Sequence, residues 1–215
     1  MEVLAVLKPD GVLRRAAGAK ILKGLQESGL CEFKSFKQVT VPTNLLDQHY
    51  SHVVNKGFYP WLSGYMSGAE SYMVLLETAD TNLPNLRALL GATRAQTALP
   101  NTLRYQYTPY GGLNGMHLSE NPEEAVNEIA MWKPALAVNT GDFDMPIADY
   151  IAKYEGQTDH SLALRAACVA IAHHGEPVDA AYQSHVRALL LEELEPDDSD
   201  KLDYLTNAVV VGCVV

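Results

Sequence analysis

The chain has 215 residues, enough for one domain of comfortable size or a domain with an appendage; 47% hydrophobic and 20% charged residues exclude a disordered polypeptide. Its formal net charge of −10 is uneven, with 11 basic against 12 acidic side chains over Met1–Trp132 and 5 against 14 over Lys133–Val215; this suggests two units and argues against nucleic-acid binding, which needs a basic surface. No run approaches the roughly 20 apolar residues of a membrane span, and the scattered Cys31, Cys168 and Cys213 suit a reducing compartment, so no membrane association and a cytoplasmic location are expected.

Val3–Leu7 is an apolar run closed by Lys8-Pro9-Asp10-Gly11, a strand entering a turn. Ala17–Ser28 places Ile21, Leu22 and Leu25 on one helical face and stops at Gly29. Glu32–Val41 alternates imperfectly between apolar residues and lysines, as a half-exposed strand does. A helix begins at Pro42-Thr43-Asn44 and passes through His49, Tyr50 and Val53, and Phe58–Met66 is a shorter, aromatic-rich helix. Ser71–Thr78 reads as a buried strand and Leu83–Leu90 as a helix. Gly91–Gly112 has no periodicity and is rich in Thr, Pro, Asn and Tyr, which predicts a long ordered loop of the kind that usually carries function.

Asn114–Glu128 then reads as strand, tight turn and helix: Asn121 is a good N-cap, Pro122 fits the first helical position, and Glu124 can close a capping box. This sets His117 near the strand end, with the carboxylate of Glu128 further along. A histidine so held can act as a base, a nucleophile or a metal ligand. The order of elements predicts a ferredoxin-like βαββαβ fold of the α+β class, four antiparallel strands with helices packed on one face.

Beyond Trp132 the character changes. Asn139–Pro146 reads as a linker, His160–His174 and Val178–Glu195 as helices, and Leu202–Val211 as a last helix or equally a strand. We therefore divide the chain into residues 1–138 and an acidic, mainly helical extension over 139–215. The extension is expected to pack on the first unit or on another subunit, as an oligomer contact, a site for a protein partner or a cover over the active site. Its histidines, His160, His173, His174 and His185, invite a metal reading, but His173 and His174 point about 100° apart on a helix and are read as ordinary helix-face residues.

Lys8, Arg87, Thr93 and Arg104, with Tyr50 and Asn114, punctuate the loop and the strand ends. Arginine offers a planar fork to phosphate oxygens, lysine a point charge, and threonine or tyrosine a neutral donor, so the set suggests a polyanion pocket. No Gly-x-x-x-x-Gly-Lys-Ser/Thr loop is present.

Over residues 1 to about 132 the chain resembles the nucleoside diphosphate kinases. The resemblance is carried by Lys8-Pro9-Asp10-Gly11-Val12, His49-Tyr50, Phe58-Tyr59, Arg87, Gly91-Ala92-Thr93, Thr102-Leu103-Arg104, Asn114-x-x-His117-x-Ser119 and Glu128-Ile129-Ala130-Met131-Trp132. It implies that His117 takes the γ-phosphoryl group of ATP and passes it to a nucleoside diphosphate, with Glu128 orienting its ring and Ser119 supporting that contact. It further implies that Lys8 and Tyr50 meet the transferred group and that Arg87, Thr93 and Arg104 hold the other phosphates. Asn114, with Lys8, would bind the ribose, Phe58 would stack on the base, and Mg²⁺ would arrive between phosphates. A homo-oligomer is implied as well. The chain departs from the family pattern at Leu118, where glycine is usual beside the histidine, at Glu120 for aspartate, at Arg94-Ala95 for an Asn/Asp-Pro pair, and at Gly111, where valine often meets the base. These departures leave room for an alternative, a nucleotide-binding or scaffolding protein with vestigial kinase activity.

Overall fold

The computed structural model describes residues 1–175 and 177–215. Four strands, β1 (Glu2–Leu7), β2 (Cys31–Val39), β3 (Ser71–Thr78) and β4 (Met116–Leu118), form one sheet in the order β2-β3-β1-β4. Every neighbouring pair is antiparallel, so the expected ferredoxin-like sheet is present. The central strands β1 and β3 are continuous apolar runs because both of their faces are buried, and successive side chains go to opposite sides. Val3, Ala5 and Leu7 enter one core with Tyr72, Val74 and Leu76, whereas Leu4 and Val6 enter another with Met73 and Leu75.

The first core is closed by α2 (Arg15–Glu27), α5 (Leu83–Leu90) and a helix of the extension, α8 (Ile147–Tyr154). The second is lined by α3 (Thr43–His49), α4 (Tyr59–Ser67) and α7 (Pro122–Leu136), and by the rest of the extension: α9 (Ser161–His174), α10 (Ala180–Glu193) and α11 (Leu202–Gly212). Leu164, Ile171, Val186, Leu190, Leu205 and Val209 are fully buried there beside Trp132, Tyr65 and Leu75. Helices thus pack on both faces of the sheet rather than on one, the extension adds to cores that the first unit already lines, and both segments share them.

Several local expectations change. Pro9–Leu13 is a short helix, α1, rather than a turn, since Pro9 has the fixed φ of a first helical residue. The 91–112 segment contains a helical turn at Ala95–Thr97 and a short helix, α6 (Leu103–Tyr107), capped by the Thr102 hydroxyl. The valine-rich end of the chain is helical, in α11. The 139–146 linker leads directly into α8, whose Ile147, Tyr150, Ile151 and Tyr154 share one buried helical face.

That linker also seals the outer edge of β2. Gly141 N–H donates to the Lys34 carbonyl at 2.7 Å, Phe36 N–H to Asp142 at 2.8 Å, and Asp144 N–H to Phe36 at 3.0 Å. The Asp144 carboxylate accepts from Gln38 N–H at 2.6 Å and pairs with Lys37.

The deepest tie between the segments is ionic. Arg14, only 1% exposed, holds Glu193 of α10 through two hydrogen bonds, at 2.5 and 3.1 Å, and donates also to Ser161 at 2.7 Å and to the Tyr107 carbonyl at 3.1 Å. Burial alone would lower the Arg14 pKa; Glu193 and Asp159 outweigh it and raise the value. Arg165 of α9 donates to the Ala95 carbonyl at 2.7 Å and lies over the Tyr105 ring at 4.3 Å from its centroid.

Candidate active site

The site is built where β1 and β4 run side by side. Val6 pairs with His117, and alternation along β4 sends Met116 and Leu118 into the first core and His117 to the opposite face. Leu118 is therefore a buried core residue that also borders the cleft, its side chain on the face opposite His117. Asn121 caps α7 by accepting from Glu124 N–H at 2.9 Å. This fixed start brings Glu128, between the first turns of α7 and its middle, back onto the strand end.

Glu128 meets the Nε2 of His117 at 3.0 Å. The Ser119 hydroxyl donates to the same carboxylate at 2.6 Å and accepts from Leu4 N–H at 3.0 Å, which locks it to β1. Burial pushes the Glu128 carboxyl up, but the His117 and Ser119 hydrogen bonds outweigh it and hold the pKa below the usual carboxylate value. A charged Glu128 accepts from Nε2–H, so the free lone pair of His117 lies on Nδ1.

His117 opens into a cleft of about 390 Å³ lined by Lys8, Tyr50, Arg87, Thr93, Arg104 and Asn114 among others. An adjoining chamber of about 460 Å³ shares Lys8, Tyr50, Thr93 and Asn114 and adds Phe58, which stands at the start of α4 with 36% of its surface exposed. The sequence-predicted residues, drawn from eight separate elements and loops, thus converge; Ser119 sits behind Glu128 rather than on the cleft wall.

Lys8 is 5% exposed, and burial together with the charge of Arg104 lowers its pKa to about 8. Burial and Arg87 bring Arg104 down to about 10. Arg104 spends three of its five N–H groups on the carbonyls of Asn114, Gly91 and Met116, at 3.2, 2.6 and 2.5 Å, so it frames the loop as well as lining the cleft. Arg87 braces β4 by donating to Leu118 at 2.8 Å. Asn114 donates to the Thr93 carbonyl at 2.7 Å, and its buried Oδ1 accepts from no donor among the described residues. That oxygen can accept from a hydroxyl or an N–H.

Several cleft residues were not among the predicted site residues. His49 packs edge-on to His117, with ring centroids 4.7 Å apart, and its Nδ1 accepts from Trp132 Nε1 at 3.2 Å. Burial and the nearby His117 drop its pKa to about 3, so it stays neutral. Asp10 is buried behind Lys8, accepting from the Tyr65 hydroxyl at 2.5 Å and from Gly115 N–H at 3.1 Å. The adjacency of His49 to Tyr50 and of Asp10 to Lys8 was the available signal. Glu120 and Glu124 also line the cleft.

His49, His117 and Glu128 offer ligand atoms within 4.8 Å of one another, the one such cluster among the described residues. Two imidazoles and a carboxylate suit a borderline-soft metal rather than a hard one such as Mg²⁺. The extension's histidines do not cluster; His160 pairs with Glu192 at 2.8 Å, and His174 packs on Tyr182. No helix among the described residues is long and apolar enough to cross a membrane.

Comparison with known proteins covers the part of the chain that holds this site. The family model for nucleoside diphosphate kinase matches residues 2–137. A nucleoside diphosphate kinase of Thermoanaerobacter sp. (strain X514) is 38% identical over 134 residues, 62% of this chain and 97% of its own length. That of Caldanaerobacter subterraneus subsp. tengcongensis is 39% identical over 137 residues, 63% of this chain and 96% of its own. Among solved structures, the Aquifex aeolicus nucleoside diphosphate kinase aligns with a TM-score of 0.53 at 26% identity, over 60% of this chain and 92% of that one. The apo enzyme of Encephalitozoon cuniculi aligns at 0.56 and 27%, over 61% and 87%. The family model ends at residue 137, so all of the extension lies outside it.

Proposed function

The chain belongs to the nucleoside diphosphate kinase family, and we propose that it moves the γ-phosphoryl group of ATP to nucleoside diphosphates by a ping-pong mechanism through a phosphohistidine at His117. The observation that carries this reading is the pairing of His117 Nε2 with Glu128, which in the neutral ring puts the lone pair on Nδ1, at a cleft that holds Lys8, Arg87 and Arg104. In the first half-reaction Nδ1 attacks the γ-phosphorus, an N–P bond forms, and the bond from that phosphorus to the β–γ bridging oxygen breaks, releasing ADP. In the second, a terminal oxygen of a diphosphate attacks the same phosphorus, the N–P bond breaks, and the imidazole regains its lone pair. The positive charge that develops on the ring is offset by Glu128, itself held by Ser119.

Lys8 and Tyr50 are assigned to the transferred group and Arg87, Thr93 and Arg104 to the remaining phosphates. Asn114 Oδ1, without a donor, fits a ribose hydroxyl, and Phe58 offers an exposed ring to the base. Stacking does not read base identity, which suits an enzyme serving several nucleosides. Mg²⁺ would be held by the phosphate oxygens, with Glu120 and Glu124 able to accept from its water; bound there it neutralises phosphate charge.

The residue beside the nucleophile no longer favours the scaffolding alternative, since Leu118 faces the core. The 91–112 loop is engaged by α9 through Arg165 and Ala95. A direct test is incubation with γ-labelled ATP and Mg²⁺. We expect an acid-labile, base-stable phosphoprotein that GDP discharges and that His117→Ala does not form; absence of label at millimolar nucleotide would sink the reading.

A further inference from the structure

The chamber beyond Lys8 and Asn114 has Phe58 in its lining, and that lining is not built by the first unit alone. Gly212, Cys213, Val214 and Val215 of the extension line it beside Gly111 and Gly112. Glycines explain how α11 comes this close. A Cβ on Gly111 would stand 2.8 Å from the Gly212 carbonyl oxygen, and one on Gly212 would stand 2.5 Å from Leu113 Cδ1 and 2.6 Å from Trp61 Cζ2. A Cβ on Gly112 would meet the Trp61 ring at 3.0 Å. Gly111 also has a φ of 55°, a conformation that a β-branched residue rarely adopts. Position 111 therefore excludes a valine twice, by its backbone and by its neighbour. Two hydrogen bonds fasten α11 to α4: Trp61 Nε1 donates to the Ala208 carbonyl at 3.1 Å, and the Tyr204 hydroxyl donates to the Tyr65 carbonyl.

We propose that Gly212–Val215 is the wall of the nucleoside subsite that faces Phe58, so that the extension supplies a specificity-determining surface to the active site. The proposal rests on the nucleoside diphosphate kinase reading and deepens it. The side chain that Gly111 lacks is replaced by main chain from the end of α11 and by aliphatic groups of Val214 and Val215. A planar heteroaromatic base fits such a slot, with the Phe58 ring on one face and apolar contact on the other. The phosphates lie at the other end of the cleft, among Lys8, Arg87 and Arg104, and do not touch this wall.

Calorimetric titration with ADP and with inorganic tripolyphosphate separates the two ends. Val214→Asn removes apolar wall without adding charge, and Gly212→Val pushes α11 away from Trp61 and Leu113. In both variants we expect ADP to bind about tenfold more weakly or worse, and tripolyphosphate to bind within about twofold of the parent chain. Should Gly212→Val fail to fold, Val214→Asn, at a partly exposed position, carries the test alone. Unchanged ADP affinity in Val214→Asn overturns the wall, as does an equal loss for tripolyphosphate. Label transfer to His117 in the same preparations keeps the failures apart, because intact labelling with variant-insensitive ADP affinity refutes the wall and leaves the kinase reading standing.

Discussion

A neutral imidazole has one basic lone pair, and in His117 the contact between Nε2 and Glu128 assigns it to Nδ1. Glu128→Gln keeps the shape but loses the charge that offsets an imidazolium, so we expect the rate of phosphoenzyme formation to fall roughly a hundredfold in a rapid-quench measurement; a rate equal to the parent's would remove Glu128 from the mechanism. Lys8 yields a prediction in pH. Its ammonium, with a pKa lowered to about 8 in the free protein, carries charge below that value and loses it above. Phosphate binding favours the charged form, so kcat/KM should decline as pH rises through about 8, whereas kcat, read on enzyme already holding phosphates, should decline at higher pH. A kcat/KM flat between neutrality and strong alkali would refute this role for Lys8. The same residues mark where sequence reading stopped. Lys8, Asn114, His117 and Glu128 were legible because each stands at a strand end or in a helix turn with its own local signature. The neutrality of His49 and the commitment of Arg104 to three carbonyls were not, since both depend on atoms brought together by folding.

Among the elements, α10 hangs on a charge. Arg14 and Glu193 are each about 1% exposed at their side chains and stand 179 positions apart, so no local pattern in the sequence links them. Removing one partner leaves the other buried and unpaired. We expect Arg14→Met to cost about 3–5 kcal/mol in urea unfolding, and the Arg14→Met, Glu193→Met double variant to recover much of it; a single variant as stable as the parent would show the pair to be dispensable. Ala95 makes a smaller case. Its N–H donates to the Gly111 carbonyl at 3.2 Å, a bond that the proline usual in the family cannot make. The bounds of α5 and the start of α7 followed from apolar spacing and caps, α2 begins two residues before the expected Ala17, and α6 has only five residues, too few for a period. The face Ile147, Tyr150, Ile151 and Tyr154 of α8 was visible in principle and was masked by the turn residues before it.

For the molecule as a whole, the apolar sides of α9, α10 and α11 and the second face of the sheet are one core. Sequence alone left the extension's placement open because its helices carry stripes without naming what they cover. Each fully buried Leu, Ile or Val contributes on the order of 1.5–3 kcal/mol, and many would be uncovered together. A chain ending at residue 138 is therefore expected to lose cooperative unfolding and to bind a hydrophobic dye, even though it retains the whole family match to residue 137; cooperative melting near the temperature of the full chain would refute the shared core.

The 141–144 strap has a consequence for how copies of this protein meet. A β-sheet edge with free N–H and C=O groups recruits a neighbouring strand, whether from an extended peptide or from a like molecule across a two-fold axis. On β2 the main-chain groups of Lys34, Phe36 and Gln38 are already answered from within the same polypeptide, and β4 at the opposite margin is three residues long. The sheet is consequently closed to growth along Lys34–Gln38 of β2, so a ladder continued from one subunit into the next is not available at that margin.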